Sequence, residues 1–316
     1  MQIDASSAEL AVQAPAKLNL FFEVLAKRSD GFHEIETLMC PINLYDTLYF
    51  REEPGGQLEL KCQWVPGVSA NHNSQQDART SSGDEADAEI EDLPNGDENL
   101  VVRAVKLLRE RTGVRAGASM RLAKRIPIAS GLGGGSSDAA AALAAGNEVW
   151  GLGLSPNQLA KMGAELGSDV PFFLAGGPAI CRGRGERVET IAGVGTLHFV
   201  MARPPVGLST AAVYGACRPA RQPRKIAPLI EALLQGNLNE IGRLLWNQLQ
   251  PAAERLTPWI GRLREAFARE DVLGHQMSGS GTSCFGLCRD AHHARRIARR
   301  LEAGGAGSVF VVQSCR

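Results

Sequence analysis

A chain of 316 residues has room for one large domain or two ordinary ones, each able to bury a core of its own. Lys plus Arg and Asp plus Glu balance at 34 each, so no global field exists to draw in nucleic acid or an anionic membrane. The seven cysteines are odd in number and lack a Cys-x-x-Cys pair, no apolar run approaches membrane-spanning length, and the first nine residues carry acids but no arginine. These features point to a soluble cytoplasmic protein with reduced thiols.

Leu10 to Leu25 reads as extended chain, with Lys17 and Asn19 on one side and Leu18, Leu20 and Phe22 on the other. Arg28 to Gly31 is a turn, and Phe32 to Met39 leads into further strand-like sequence through Phe50. Residues 68–98 hold nine carboxylates against a lone Arg79, a composition that buries little apolar surface, and read as a solvated surface insertion without chemistry. Leu100 to Arg109 has helical apolar spacing, and Ala118 to Lys124 alternates as a strand does.

Next comes Pro127-Ile-Ala-Ser-Gly-Leu-Gly-Gly-Gly-Ser-Ser137, which runs into Asp138 and an alanine-rich helix. Four glycines remove the side chains that would keep a polyphosphate from the backbone, and a helix N-terminus behind them offers free N–H groups and a positive dipole end. Glycine richness alone is equally consistent with a linker or a tight helix start, but the helix that follows weighs against a linker. The two hydroxyls of Ser136 and Ser137 are placed at the helix start, with Asp138 in its first turn. No Lys-Ser/Thr pair follows the last glycine, and the Gly-x-Gly-x-x-Gly spacing is broken, so the loop is neither a Walker A loop nor a dinucleotide fingerprint.

Ser155-Pro-Asn-Gln158 supplies a capping box for a helix ending at Leu166-Gly167, after which Asp169 stands at a helix exit with Pro171 blocking continuation. In the second half, Leu197 to Ala202 is a strand, and helices are expected near Ile226–Leu234, Asn237–Gln248 and Trp259–Arg269. Gly274–Met277 pairs with Thr282–Leu287 across the turn Ser278-Gly-Ser-Gly281, followed by a helix over Ala291–Leu301 and a strand over Ser308–Gln313. Phosphoryl transfer to an alcohol needs a cation for the γ-phosphate and a group that orients or deprotonates the hydroxyl. Lys17 and Asp169 could supply these, although singly they read as a surface lysine and a turn residue.

Taken in order, Ala14-Pro-Ala-Lys-Leu-Asn-Leu20, Asp30-Gly-Phe-His-Glu34, the 127–137 loop, Leu166-Gly-Ser-Asp-Val-Pro171 and Gly279-Ser-Gly281 resemble the GHMP kinases over nearly the whole chain. The early motifs resemble in particular the branch acting on a cytidine-diphosphate-linked methylerythritol. The resemblance implies an α+β fold of two domains, 1–185 and 186–316. The first would bind ATP on a ribosomal-protein-like fold with a left-handed β-α-β crossover, against the right-handed default; the second would be a ferredoxin-like α/β sandwich. It implies Lys17 and Asp169 as the catalytic pair, and Asn19, Phe32, His33, Thr210 and Tyr214 on the acceptor. The nucleotide would meet Lys124 and the loop residues Pro127, Ile128, Ala129, Ser130, Gly131, Leu132, Gly133, Gly134, Gly135, Ser136 and Ser137. It also implies Mg²⁺ with ATP, Ser136 or Ser137 being the candidate hydroxyls, and a small-molecule acceptor with no nucleic-acid or membrane partner, on a monomer or homodimer. A homoserine- or mevalonate-type kinase and a non-catalytic nucleotide sensor are the alternative readings.

Overall fold

The computed structural model describes residues 2–4, 9–65, 93 and 96–315. Most of the acidic stretch expected as an insertion, residues 68–92 and 94–95, therefore lies outside the described residues. In the first sheet, β1 (Gln2–Asp4), β2 (Leu10–Lys27), β3 (His33–Glu53), β4 (Leu58–Trp64) and β5 (Gly117–Lys124) lie in the order β1-β2-β3-β5-β4. The hairpin of β6 (Ala179–Gly183) and β7 (Arg187–Thr190) extends this sheet from β3, so the strand beyond residue 185 still belongs to it. β4 and β5 run parallel, and the chain between them passes through α1 (Leu100–Thr112), making a β-α-β unit. Asn99 caps α1 by accepting from Val101 N, and Gly113 ends it in the left-handed region at φ 73°.

Three more helices complete this half: α2 (Gly134–Val149), α3 (Pro156–Leu166) and α4 (Val170–Ala175). The Ser155/Gln158 capping box is formed as expected, and α3 stops at Leu166. The second sheet contains β8 (His198–Arg203), β10 (Gly274–Met277), β11 (Cys284–Cys288) and β12 (Ser308–Gln313), in the order β10-β11-β8-β12 with every pairing antiparallel. With α10 (Ala291–Ala303) crossing between β11 and β12, the closing β-β-α-β unit forms as its sequence pattern implies.

One helical expectation needs correction, and two helices need adding. The helix expected over 237–248 stops early: α7 (Leu238–Leu244) gives way to a two-residue strand, β9 (Trp246–Asn247), which pairs with Phe21 and Phe22 of β2. The pairing with the first sheet overrides the local helical pattern. Two short helices, α5 (Thr210–Ala216) and α8 (Gln250–Leu256), were not foreseen, whereas α6 (Ala227–Leu234) and α9 (Pro258–Ala268) match expectation.

β2 deviates from simple alternation because it is buried on both faces, continuously from Ala14 to Val24. The β2–β3 hairpin runs through the three apolar clusters found among the described residues. Val12, Leu48 and Phe50 pack under α1 and α2, and Leu18, Leu38 and Ile42 meet Phe199 and Phe285 of the second sheet. Phe22, Val24 and Ile35 join Phe267 and Leu263 of α9. Each such side chain, fully removed from water, contributes roughly 1.5–3 kcal/mol before entropy is counted. Register shifts at Pro15/Ala16 and Asn19/Phe21 mark irregularities in β2, of the kind that re-aim side chains next to functional sites.

Asn247 ties the halves together. Its amide donates to the carbonyls of Met277 (2.7 Å) and Gly279 (2.8 Å), while Oδ1 accepts from Leu249 N (2.9 Å). Because Asn247 is buried, Asn247→Ala strands three backbone groups away from water and should lower the unfolding free energy by about 2–4 kcal/mol. Urea unfolding of the two proteins measures it; a loss under about 1 kcal/mol would mean the 278–281 turn holds itself.

Candidate active site

The cleft between the two sheets encloses about 910 Å³ and brings together the early strand motif, the glycine loop, the residues around Asp169 and the 279–281 turn. Lys17 lies at its floor. The side chain is buried, and Nζ donates to Asn19 Oδ1 (2.5 Å) and the Gly131 carbonyl (2.7 Å), with Asp169 Oδ2 at 3.8 Å. Burial pulls the ammonium below its ordinary value, and the Asp169 charge restores part of the loss. Asn19 is itself fixed by donating to Thr37 Oγ1 (2.9 Å), whose hydroxyl donates to the Phe21 carbonyl (2.6 Å). A lysine that reads singly as a solvated surface residue is thus a desolvated charge with directed partners.

Asp169 sits at a junction, as expected, but at the start of α4 rather than at the exit of α3. It occupies the N-cap position, yet its carboxylate makes no cap hydrogen bond, and Pro171 lies in the first turn of α4. The carboxylate is therefore available to the cleft, with 28% of its side-chain surface open.

The glycine loop begins its helix two residues earlier than the hydroxyls suggested. Gly133, at φ 73°, caps α2, and Gly134 and Gly135 form its first turn. A Cβ on Gly131 (φ 77°) would lie 2.2 Å from the Ser278 carbonyl, and one on Gly133 would lie 3.2 Å from the Lys17 stem. These glycines let the loop close onto the serine turn and onto Lys17. Ser136 lines the cleft, whereas Ser137 and Leu132 are fully buried, and the Ser137 hydroxyl has no hydrogen-bond partner. The other loop residues, Pro127 to Gly131 and Gly133 to Gly135, face the cleft.

Asp138 and Lys124 depart from their expected parts. Asp138 lies in the second turn of α2, buried, where Oδ2 accepts from Lys124 Nζ at 2.5 Å. Lys124 borders the cleft but turns its ammonium onto Asp138 and Asp46. Burial alone would pull this ammonium down; Asp138 and Asp46 more than offset it and leave it raised. Burial pushes the Asp138 carboxyl up, against the pull of Lys124, to about 7. Asp46 was not singled out from the sequence, since an acid in an alternating strand carries no signal of a lysine far along the chain. Its Oδ1 accepts from Arg125 N (2.5 Å) and Ile126 N (2.9 Å), so this carboxylate anchors the start of the glycine loop.

At the opposite end, the His33 and Tyr214 rings lie 5.1 Å apart, and Tyr214 also meets the edge of Phe22 at 6.3 Å. Burial, then the charge of Lys27, lowers the His33 imidazole, which keeps it neutral with one donor and one acceptor. Burial raises the Tyr214 phenol, which stays protonated. Thr210 reaches the serine turn through a 2.9 Å hydroxyl contact with Ser280. Phe32 is half-exposed beneath the guanidinium of Arg184, a residue the sequence reading did not select. Ser278 was noted only as part of a hairpin turn, and that turn does join β10 and β11. Its hydroxyl also bonds Gly131 O at 3.1 Å, linking the two glycine segments.

Lys124→Met should leave Asp46 and Asp138 buried without their cation and cost about 3–5 kcal/mol. The Asp138 carboxyl, already pushed up by burial, would then lose the cation that pulls it down and titrate further above its unfolded value, so the folded state binds more protons and mutant stability falls as pH rises. The deficit relative to wild type is expected to be larger at pH 8 than at pH 5.5 by chemical unfolding; a pH-independent deficit would mean the carboxylates find other partners.

Residues 99–177 match the GHMP kinases N terminal domain and residues 229–307 the GHMP kinases C terminal domain. A 4-diphosphocytidyl-2-C-methyl-D-erythritol kinase from Pelotomaculum thermopropionicum is 43% identical over 289 residues, covering 91% of this chain and 92% of its own. One from Shouchella clausii is 37% identical over 307 residues, covering 97% and 94%. A solved 4-(cytidine 5'-diphospho)-2C-methyl-D-erythritol kinase superposes with a TM-score of 0.77 at 33% identity, covering 97% of this chain and 100% of the other. A homoserine kinase from Cytophaga hutchinsonii, at 20% identity and a TM-score of 0.72 over 100% of this chain and 97% of its own, shares the fold. From the two matched domains and the identity along nearly its full length, the chain belongs to the GHMP kinases, in the 4-diphosphocytidyl-2-C-methyl-D-erythritol kinase family.

Proposed function

We propose that this protein transfers the γ-phosphate of ATP to the 2-hydroxyl of 4-diphosphocytidyl-2-C-methyl-D-erythritol, giving the 2-phosphate and ADP, in the non-mevalonate route to isoprenoid precursors. The observation that carries this reading is the position of the Lys17–Asp169 pair, between the glycine loop and the His33/Tyr214 ring pair in one continuous cleft. A sensor would need the loop but not this pair, and homoserine or mevalonate would leave the ring pair without a base to hold.

In the proposed mechanism, the loop backbone and the start of α2 hold the triphosphate through N–H groups that have no helical partner. Asp169 accepts a hydrogen bond from the acceptor hydroxyl, orients it in line and takes its proton as the new O–P bond forms and the bond from the γ-phosphorus to the β–γ bridging oxygen breaks, that oxygen leaving with ADP. Lys17, desolvated and held by Asn19 and Gly131, faces the negative charge on the transferring group, where low dielectric strengthens the attraction. Neutral His33 meets the cytosine edge, with Tyr214 as its ring partner, and Asn19 and Thr210 line the acceptor path.

The residues also fit Mg²⁺ carried with the nucleotide. Among the described residues no cluster of three or more His, Cys, Asp or Glu could cage a metal, but Ser136 and Asp169 put oxygen donors in the cleft. One or two such donors plus phosphate oxygens make an ordinary Mg²⁺ site. The Ser137 hydroxyl is buried and does not line the cleft. The ion would neutralise phosphate charge. No helix among the described residues is long and apolar enough to cross a membrane, and we place the enzyme in the cytoplasm with small molecules as its partners.

Coupled ADP release with the cytidine diphospho-sugar alcohol, homoserine and mevalonate as acceptors tests the reading. Turnover should depend on the first alone, and equal turnover with mevalonate would overturn it. Asp169→Asn should reduce kcat by about 10²- to 10⁴-fold with ATP affinity within a few-fold, since the amide fills the space but cannot take the proton. A folded mutant keeping most of its kcat would leave Asp169 a junction residue only. His33→Ala should raise the acceptor KM by about ten- to a hundredfold, with ATP little affected; comparable weakening of both ligands would take His33 out of the acceptor pocket.

A further inference from the structure

Resting on that reading, we propose that Arg184 binds the diphosphate that joins cytidine to the sugar alcohol. Arg184 stands at the tip of the β6–β7 hairpin between Gly183 (φ 76°) and Gly185 (φ 122°), with its backbone N–H donating to Glu186 Oε2 at 2.6 Å. The turn abuts the wall that carries Asp169: a Cβ on Gly185 would lie 3.4 Å from Ser168 Cβ and 3.7 Å from Asp169 Oδ1. From there the side chain crosses to the β2–β3 turn, where its Cζ lies 4.8 Å from the centroid of the Phe32 ring. It therefore spans the interval between the reacting carboxylate and the residues at the base end.

The neighbouring arginines make direct ion pairs, whereas Arg184 interacts with a carboxylate only at longer range, through the charge of Asp30. Arg182 pairs with Glu36 and Glu189, Arg187 with Glu34, and Arg28 with Asp30 and Glu34. Among the described residues no carboxylate lies within ion-pair distance of Arg184, and its guanidinium has only a 3.5 Å contact with the Ala164 carbonyl. A cation without a contacting carboxylate, lining a cleft and oriented by a ring face, is suited to a ligand anion, and a guanidinium presents paired donors that match phosphate oxygens. If the base rests at His33 and the 2-hydroxyl at Asp169, the diphosphate has to pass this wall. Lys27, another cation lining the cleft, flanks His33 instead.

Calorimetric titration with cytidine, CMP and CDP separates the contributions. Wild type should bind CDP more tightly than cytidine. Arg184→Met should keep cytidine affinity within about threefold while reducing the CDP advantage by about ten- to a hundredfold. Arg184→Lys should recover part of that advantage, and Lys27→Met should retain it. In turnover, Arg184→Met should raise the acceptor KM with a smaller effect on kcat and none on the KM for ATP. Equal weakening of cytidine and CDP would show that Arg184 acts only through the Phe32 ring, and an undiminished CDP advantage would place the diphosphate elsewhere; either result overturns the assignment. If wild type binds neither cytidine nor CDP, the cytidine reading itself fails, and this proposal with it.

Discussion

The site depends on a positive charge held out of water. Desolvating an ammonium is costly unless its donors are satisfied and an anion stands near, and Lys17 has both: Asn19 and the Gly131 carbonyl accept from it, and Asp169 lies opposite. Those partners come from β2, the glycine loop and the start of α4, so each must fold correctly for the charge to be tolerated. The same desolvation makes the charge useful. An ammonium stripped of water and fixed before substrate arrives needs little reorganisation when negative charge develops against it.

A second buried charge cluster positions the phosphate loop. Lys124 joins Asp46 of β3 to Asp138 of α2, and Asp46 also takes the N–H groups of Arg125 and Ile126. The loop is thereby pinned at both ends, to the sheet where it begins and to its helix one turn in. Between the pins, Gly131 and Gly133 allow backbone approaches that a methyl group would block, one to the Ser278 turn and one to the Lys17 stem. The glycines therefore serve closeness more than mobility.

The two sheets act as one frame because β2, a strand of the first sheet, packs against the second. Its middle residues pack against β8 and β11, and its tip packs on α9. β9 returns from the second half to pair with it, and Ser314 bridges to Ile42 of β3. The 278–281 turn contributes from the C-terminal sheet to a site otherwise built on the first, held by Asn247 from one side and bonded to Gly131 on the other. Nucleotide-side and acceptor-side groups thus share a rigid floor, which is what an in-line transfer requires.

Local features of the sequence determined a good deal. Capping at Ser155, the glycine turn at 28–31, the alternation of 118–124 and the strand over 308–313 depend on neighbouring residues, and each formed where its pattern placed it. The placement of Lys17 and Asn19 on one face also follows from strand geometry alone. Tertiary structure decided the remainder. Where α2 begins, how Asp138 is used and the conversion of 246–247 from helix to strand were set by partners distant in sequence: Lys124, Asp46 and β2. Neither the pairing of Asp46 with Lys124 nor the lack of a contacting carboxylate at Arg184 among the described residues could be read from its own segment. A carboxylate or guanidinium has the same local pattern whether solvated or buried, and only the folded chain fixes which charges meet.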